Sequence, residues 1–378
     1  MRGRSAAPRR ILVVGPLPPP NHGVSVMTRA LLDSIPGDRY EIVHLDTADR
    51  RGVANIGRLD PGNVWLAGVH GARFLSLLAR QPVDMVYAPI APNVLGFMRD
   101  ALFAGPALLR RLPVIVHLHG GGYRPLLRDA PMPVRQLVRS VMSRASSAIV
   151  LGDALTGMLD GVVERDRIDI VPNGVADVAP PGATRERARD GRTRVLFLGN
   201  LIPGKGYVEL LEAVQLLLDE GVDIDVTFAG GIAEASTHAR ALASLRYGDD
   251  RVRFTGPVGT AEKTRLLTQS DVLALPTYYE HEAHPLVILE AMSAGIPVVS
   301  THHAAIPETV MDGVTGLLVA RRDVCALAGG LRSLAERPDA RAAMGRAGRE
   351  RYLDRYTLEH WSDRMISVFD RIGSAAQQ

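Results

Sequence analysis

Short apolar runs, often β-branched, alternate along the chain with longer stretches in which apolar positions recur every three or four residues. RILVVG near the start reads as a strand, and VSVMTRALLDSI after it as a helix. YEIVHLD, VDMVYAPI, PVIVHLH and SAIVLG are further strands, most of them separated by helical stretches, and RIDIVPNGV closes the set. These strands are apolar at consecutive rather than alternate positions. That predicts a parallel sheet covered on both faces by helices.

ADVAPPGATRERARDG, Ala176 to Gly191, interrupts the pattern with proline, glycine and charge and reads as a linker. The alternation then restarts with TRVLFLGN and GYVELLEAVQLLLDEG, and continues through IDVTFAGG, VRFTG, DVLALP and IPVVS. From Asp323 to about Gly373 the chain is mostly helical. The fold class is therefore α/β. The expected domains are 1–175, a linker at 176–193, a second domain at 194–357 and a C-terminal helix at 358–378 returning to the first. Two open α/β domains create a cleft at the carboxyl ends of their strands, so chemistry is sought in the loops that follow strands.

Composition narrows the class. The single cysteine, Cys325, makes no intrachain disulfide and fits a reducing compartment. The basic start MRGRSAAPRR precedes an apolar run too short for a signal peptide, and no stretch approaches a membrane span. A cytoplasmic protein is expected, in solution or at the inner face of the cell membrane. Residues 1–180 carry a net charge of +6 and the remainder −3. In PVRQLVRSVMSR, Arg135 and Arg139 lie one helical turn apart beside Val134, Leu137, Val138 and Val141. This basic amphipathic helix reads either as a contact with an anionic membrane or as an ordinary surface helix. The arginines are not interleaved with aromatics and no nucleic-acid motif is present, so a nucleic-acid partner is not expected.

Several strand-end residues are candidates for chemistry. GPLPPPNHGVS leads from the first strand into a helix, and Gly23 there either lets a phosphate approach the backbone or belongs to a plain connecting loop. It is not the GxGxxG dinucleotide fingerprint. His119 follows PVIVHLH and precedes GGG; His117 points to the same face, deeper. Either they act on hydroxyls or phosphates, or they make local hydrogen bonds only. The chain has two lysines, Lys205 and Lys263, against 42 arginines. Lys205 sits between two glycines where a strand gives way to a helix; either it is a plain surface lysine, or its compact ammonium on a flexible stem takes a phosphate in the tight loop.

YYEHEAHPLVILEAMSAGIPVV places Glu282 in a loop and Glu290 on the second turn of an apolar helix, with Pro285 as its first residue and Gly295 beyond its end. Either free amides near Leu286 and Val287 make an anion site between two hydroxyl-accepting carboxylates, or Glu282 is a solvated loop residue and Glu290 a helix-surface charge, which the apolar run LVILEAM opposes. A glutamate buried in LVILEAM needs partners. HEAH has histidines three apart and ahead of the helix, unlike the HExxH zinc pattern, so no metal is expected. Asp223 and Asp225 in DID lie at a strand entrance and read as polar alternation.

GNLIPGKG, PNGV, EAHPLVILEAMSAGIPVVS and ETVMDGVTGLLV together resemble the family 4 retaining glycosyltransferases of GT-B architecture, from Ile11 to about Trp361. The resemblance implies two Rossmann-like domains facing across a cleft. It implies transfer of a sugar from a nucleotide diphosphate sugar to an acceptor hydroxyl, with anomeric configuration retained and neither metal nor cofactor. The acceptor it implies is a cell-surface polysaccharide or lipid-linked glycan. It assigns Lys205 to the donor diphosphate, Glu282 to donor sugar hydroxyls, Glu290 to the ribose and the Leu286 and Val287 amides to phosphate. His119 falls near the reacting centre and Gly23 in the N-domain loop. Asn200 stands where the family has an arginine on the diphosphate. Ala283, His284 and Pro285 replace its glycine-phenylalanine-glycine beside the donor sugar, and His22 precedes Gly23 in place of a glycine pair. The motifs also allow a GT-B epimerase or hydrolase, or an inactive sugar-nucleotide-binding module.

Overall fold

The computed structural model describes residues 8–51, 60–178, 191–231 and 251–375. The chain divides into two compact units, Met1–Asn173 with Leu358–Gln378, and Gly174–Thr357. Each is built on a six-stranded, wholly parallel sheet.

The first sheet contains β1 (Arg9–Gly15), β2 (Tyr40–Asp46), β3 (Met85–Pro89), β4 (Val114–His117), β5 (Ser147–Val150) and β6 (Ile168–Ile170), in the order β2-β1-β3-β4-β5-β6. The central strands are buried along nearly their whole length, which accounts for their unbroken apolar runs. His119 lies two residues past the end of β4. The helix Leu358–Ala375 packs in this unit: Asp370 accepts a 2.5 Å hydrogen bond from the Tyr40 hydroxyl, and Phe369 meets the Tyr40 and Tyr87 rings edge-on. The basic helix Met132–Met142 buries Val138, Val141 and Met142 in the unit, so its apolar face serves the core.

The second sheet contains β7 (Thr193–Leu198), β8 (Ile224–Ala229), β9 (Val252–Gly256), β10 (Val272–Leu275), β11 (Val298–Thr301) and β12 (Gly316–Val319), in the order β12-β11-β10-β7-β8-β9. Counted from β7, this is the 3-2-1-4-5-6 winding of dinucleotide-binding sheets, and its strand order reverses between β7 and β10. Most of the expected linker, 179–190, lies outside the described residues. Its first residues are anchored in the second unit: Arg349 pairs with Asp177, and the Val178 amide donates to Ser293 Oγ.

One boundary differs from the sequence reading. Pro285 stands as the residue before the helix Leu286–Ser293 rather than as its first residue, with extended backbone (φ −63°, ψ 121°). Gly295, with φ 69°, follows the helix end as expected.

Candidate functional site

The residues singled out in the second unit converge on its topological switch point. β7 and β10 pair directly, and the loops leaving their carboxyl ends hold Lys205 and Glu282. Two local features bring these loops together. The Gly204 carbonyl accepts hydrogen bonds from the Tyr278 amide (2.7 Å) and the Thr277 hydroxyl (3.4 Å). Gly206 has φ 78°, and a Cβ there would stand 2.2 Å from the Pro276 carbonyl oxygen. Only glycine meets both demands.

Lys205 Nζ consequently lies 3.1 Å from Glu282 Oε2, with both side chains partly exposed, at 20% and 12%. The contact is an ion pair outside hydrogen-bonding alignment, and Glu282 Oε2 accepts no hydrogen bond among the described residues. Both groups therefore keep capacity for a ligand. The helix Leu286–Ser293 begins directly after Pro285, and no side chain caps its N-terminus. Its first amides, at Leu286 and Val287, thus lie one short loop from Glu282 and have no partner within the helix.

Glu290, on the second turn, is 8% exposed. Its Oε1 receives Lys263 Nζ at 2.5 Å, while Oε2 is buried with no hydrogen-bond partner among the described residues. Burial pushes the Glu290 carboxyl up from its ordinary value, and the Lys263 ammonium opposes that rise. The chain's two lysines therefore pair with the two glutamates of the motif. Sequence reasoning gave Lys263 no role; the scarcity of lysine was the one available signal.

The other residues named from sequence are placed as follows. Asn200 is exposed after β7, and a Cβ on Gly231, in the loop after β8, would stand 3.2 Å from its Oδ1. Ala283 is buried and its carbonyl accepts from the Ala305 amide at 3.0 Å. His284 is buried, with Nε2 2.8 Å from Thr309 Oγ1, and its ring packs near Tyr356. His281 instead stands edge-on to Tyr279, so the two histidines of HEAH have separate neighbours. No cluster of three metal-ligating side chains occurs among the described residues. Asp223 and Asp225 pair with Arg251 at the start of β8.

In the first unit, the His117 and His119 rings stack with centroids 3.9 Å apart. The Tyr87 hydroxyl lies 2.7 Å from His117 Nδ1 and 3.4 Å from His119 Nε2. Burial, with a contribution from His22, pushes His119 down to about 3, and His117 is held well below its ordinary value for the same leading reason. Both rings are neutral at neutral pH and serve as hydrogen-bonding groups. Gly23 is the first residue of the helix Gly23–Ser34. His22 caps that helix: its Nδ1 accepts the Ser25 amide at 3.3 Å, and its own amide donates to Ser25 Oγ. A Cβ on Gly23 would meet nothing within 4 Å.

The family described as Glycosyl transferases group 1 matches residues 184–351. Glycogen synthase of Mycobacterium tuberculosis (strain CDC 1551 / Oshkosh) is 32% identical over 219 residues, covering 57% of this chain and 50% of that protein. The chain thus spans about half the length of the curated relatives it matches first. Among solved structures, sucrose-phosphate synthase from Thermosynechococcus elongatus has a TM-score of 0.75 at 17% identity, covering 97% of this chain and 100% of that one. Anabaena Alr3699/HepE in complex with UDP-glucose has a TM-score of 0.72 at 16% identity, covering 96% and 99%. These likenesses show the fold, a GT-B α/β fold with two Rossmann-like units.

Proposed function

We propose that the chain is a retaining glycosyltransferase that moves a sugar from a nucleotide diphosphate sugar to an acceptor hydroxyl without a metal ion. The observation that carries this reading is the meeting of Lys205 and Glu282 at the switch point of the second sheet. Lys205 would stabilise charge growing on the leaving diphosphate, as fixed cations do for developing anions. The uncapped start of the helix at Leu286 would add amides to the same phosphates. Glu282 would hold donor sugar hydroxyls, and Glu290, with one oxygen unpartnered among the described residues, the ribose. His119 would act as a neutral hydrogen-bonding group near the acceptor.

The relatives' names support a sugar-transfer reaction, and the HepE structure is described as a complex with UDP-glucose. The acceptor is proposed to be a cell-surface polysaccharide or a lipid-linked glycan, reached from the cytoplasmic side. The arginine-rich first unit supports an encounter with an anionic membrane surface. No helix among the described residues is long and apolar enough to cross a membrane.

The test is a panel of nucleotide diphosphate sugars incubated with membrane extract and a chelator, read by nucleoside diphosphate release and by the anomeric configuration of the product. Release that survives the chelator, with a retained anomeric centre, is expected. Absence of release from every donor would overturn the reading. Epimerised or hydrolysed sugar without acceptor would redirect it to those reactions.

A further inference from the structure

We infer that Lys263 is a positioning residue for the nucleotide: its ammonium fixes one oxygen of Glu290 so that the other is presented, ionised, to a vicinal diol of the ligand. The inference rests on the proposed function, because it takes the ribose as the group that meets Glu290.

Three observations converge on it. Lys263 Nζ lies 2.5 Å from Glu290 Oε1, and the pair joins the helix Thr260–Gln269 to the helix Leu286–Ser293. Glu290 Oε2 is buried and has no hydrogen-bond partner among the described residues. An unsatisfied carboxylate oxygen in that position is costly unless a ligand hydroxyl completes it. Both lysines of an otherwise arginine-based chain stand on the motif glutamates.

Other charges do not substitute for Lys263. The helix Pro338–Arg355 packs against the Glu290 helix, but its Arg349 is committed to Asp177 and to the Ser293 carbonyl. β10 and β11 beneath the helix contribute apolar residues, and Ser300 and Thr301, which donate to the carbonyls of Leu275 and Thr277. Without the ammonium, burial would favour the protonated acid, which loses an acceptor and cannot receive two hydroxyls equally.

The experiment measures binding of UDP, GDP, ADP and dTDP, then of the best ribonucleotide and its 2′-deoxy form, from about pH 6 to about pH 9, a window below the ordinary lysine pKa. Wild-type protein, Lys263→Met and Lys263→Arg are compared, with circular dichroism as the check of folding. Lys263→Met is expected to weaken ribonucleotide binding on the order of tenfold at the lower pH, with recovery as Glu290 ionises at the higher pH. Lys263→Arg should stay near wild type, and the deoxy form should respond little to either change. Equal loss at both pH values and for both sugars, or no loss, would mean a purely structural pair and overturn the inference while leaving the proposed function intact. If the wild-type protein binds no nucleotide of the panel, the proposed function falls and the inference falls with it.

Discussion

Lys205 Nζ and Glu282 Oε2 are 3.1 Å apart although 77 positions separate them in sequence. Their loops leave neighbouring parallel strands at the point where the strand order of the second sheet reverses. A cation and an acceptor are therefore held at one place by backbone contacts of Gly204 and Gly206 rather than by their own attraction.

Replacing Lys205 with alanine is expected to lower kcat by about 10²–10³, the usual effect of losing one group that stabilises developing charge. The cost in stability should be about 1–3 kcal/mol, because both side chains are mostly buried and the Glu282 carboxylate loses its cation. Nucleoside diphosphate release and the thermal midpoint, measured on one preparation, separate the two effects. Wild-type turnover in the variant would remove Lys205 from the mechanism.

Gly206→Ala is expected to destabilise the second unit by about 1–3 kcal/mol, since it combines a left-handed backbone with a contact against the Pro276 carbonyl. Nucleotide affinity should fall with it, because the same loop carries Lys205. Gly329→Ala is the control: that glycine sits exposed in the helix Val324–Glu336 with open space about it, and alanine should stabilise by up to about 1 kcal/mol. Thermal midpoints and UDP titration of both variants give the comparison.

Much of the fold was legible because parallel strands buried on both faces leave unbroken apolar runs, as in β4 and β10. Strand order was not, because alternation of strands and helices fixes the elements but not which strand neighbours which. The Lys263–Glu290 pair was hidden for the same reason, since it depends on two helices lying side by side. The role of His22 as a helix cap was hidden because histidine is not among the residues that favour that position.

Asn200→Arg is expected to tighten nucleoside diphosphate binding by roughly threefold to tenfold, with a steeper dependence on salt. Asn200 is exposed at the start of the loop that carries Lys205, so a longer cationic side chain has room to approach the same anion. Calorimetric titration at two salt concentrations measures it. Unchanged affinity at low salt would show that position 200 does not face the diphosphate.

His117→Gln is expected to flatten the acid sensitivity of the first unit. His117 is fully buried, 2.7 Å from the Tyr87 hydroxyl and stacked on His119, and its folded pKa lies well below the unfolded value near 6.5. Above that unfolded pKa both states are neutral, and the group contributes no pH dependence. Below it, the unfolded chain takes up a proton that the folded chain refuses, so stability falls with pH by up to about 1.4 kcal/mol per pH unit for this group. Buried Asp100 has a raised pKa and acts in the opposite direction, but it is common to both proteins and cancels in their difference. Glutamine loses the histidine's contacts, so the variant should be less stable at about pH 7.5, and the gap should narrow toward about pH 5.5. Thermal midpoints across that range measure the gap, and parallel curves for the two proteins would count against a buried neutral His117.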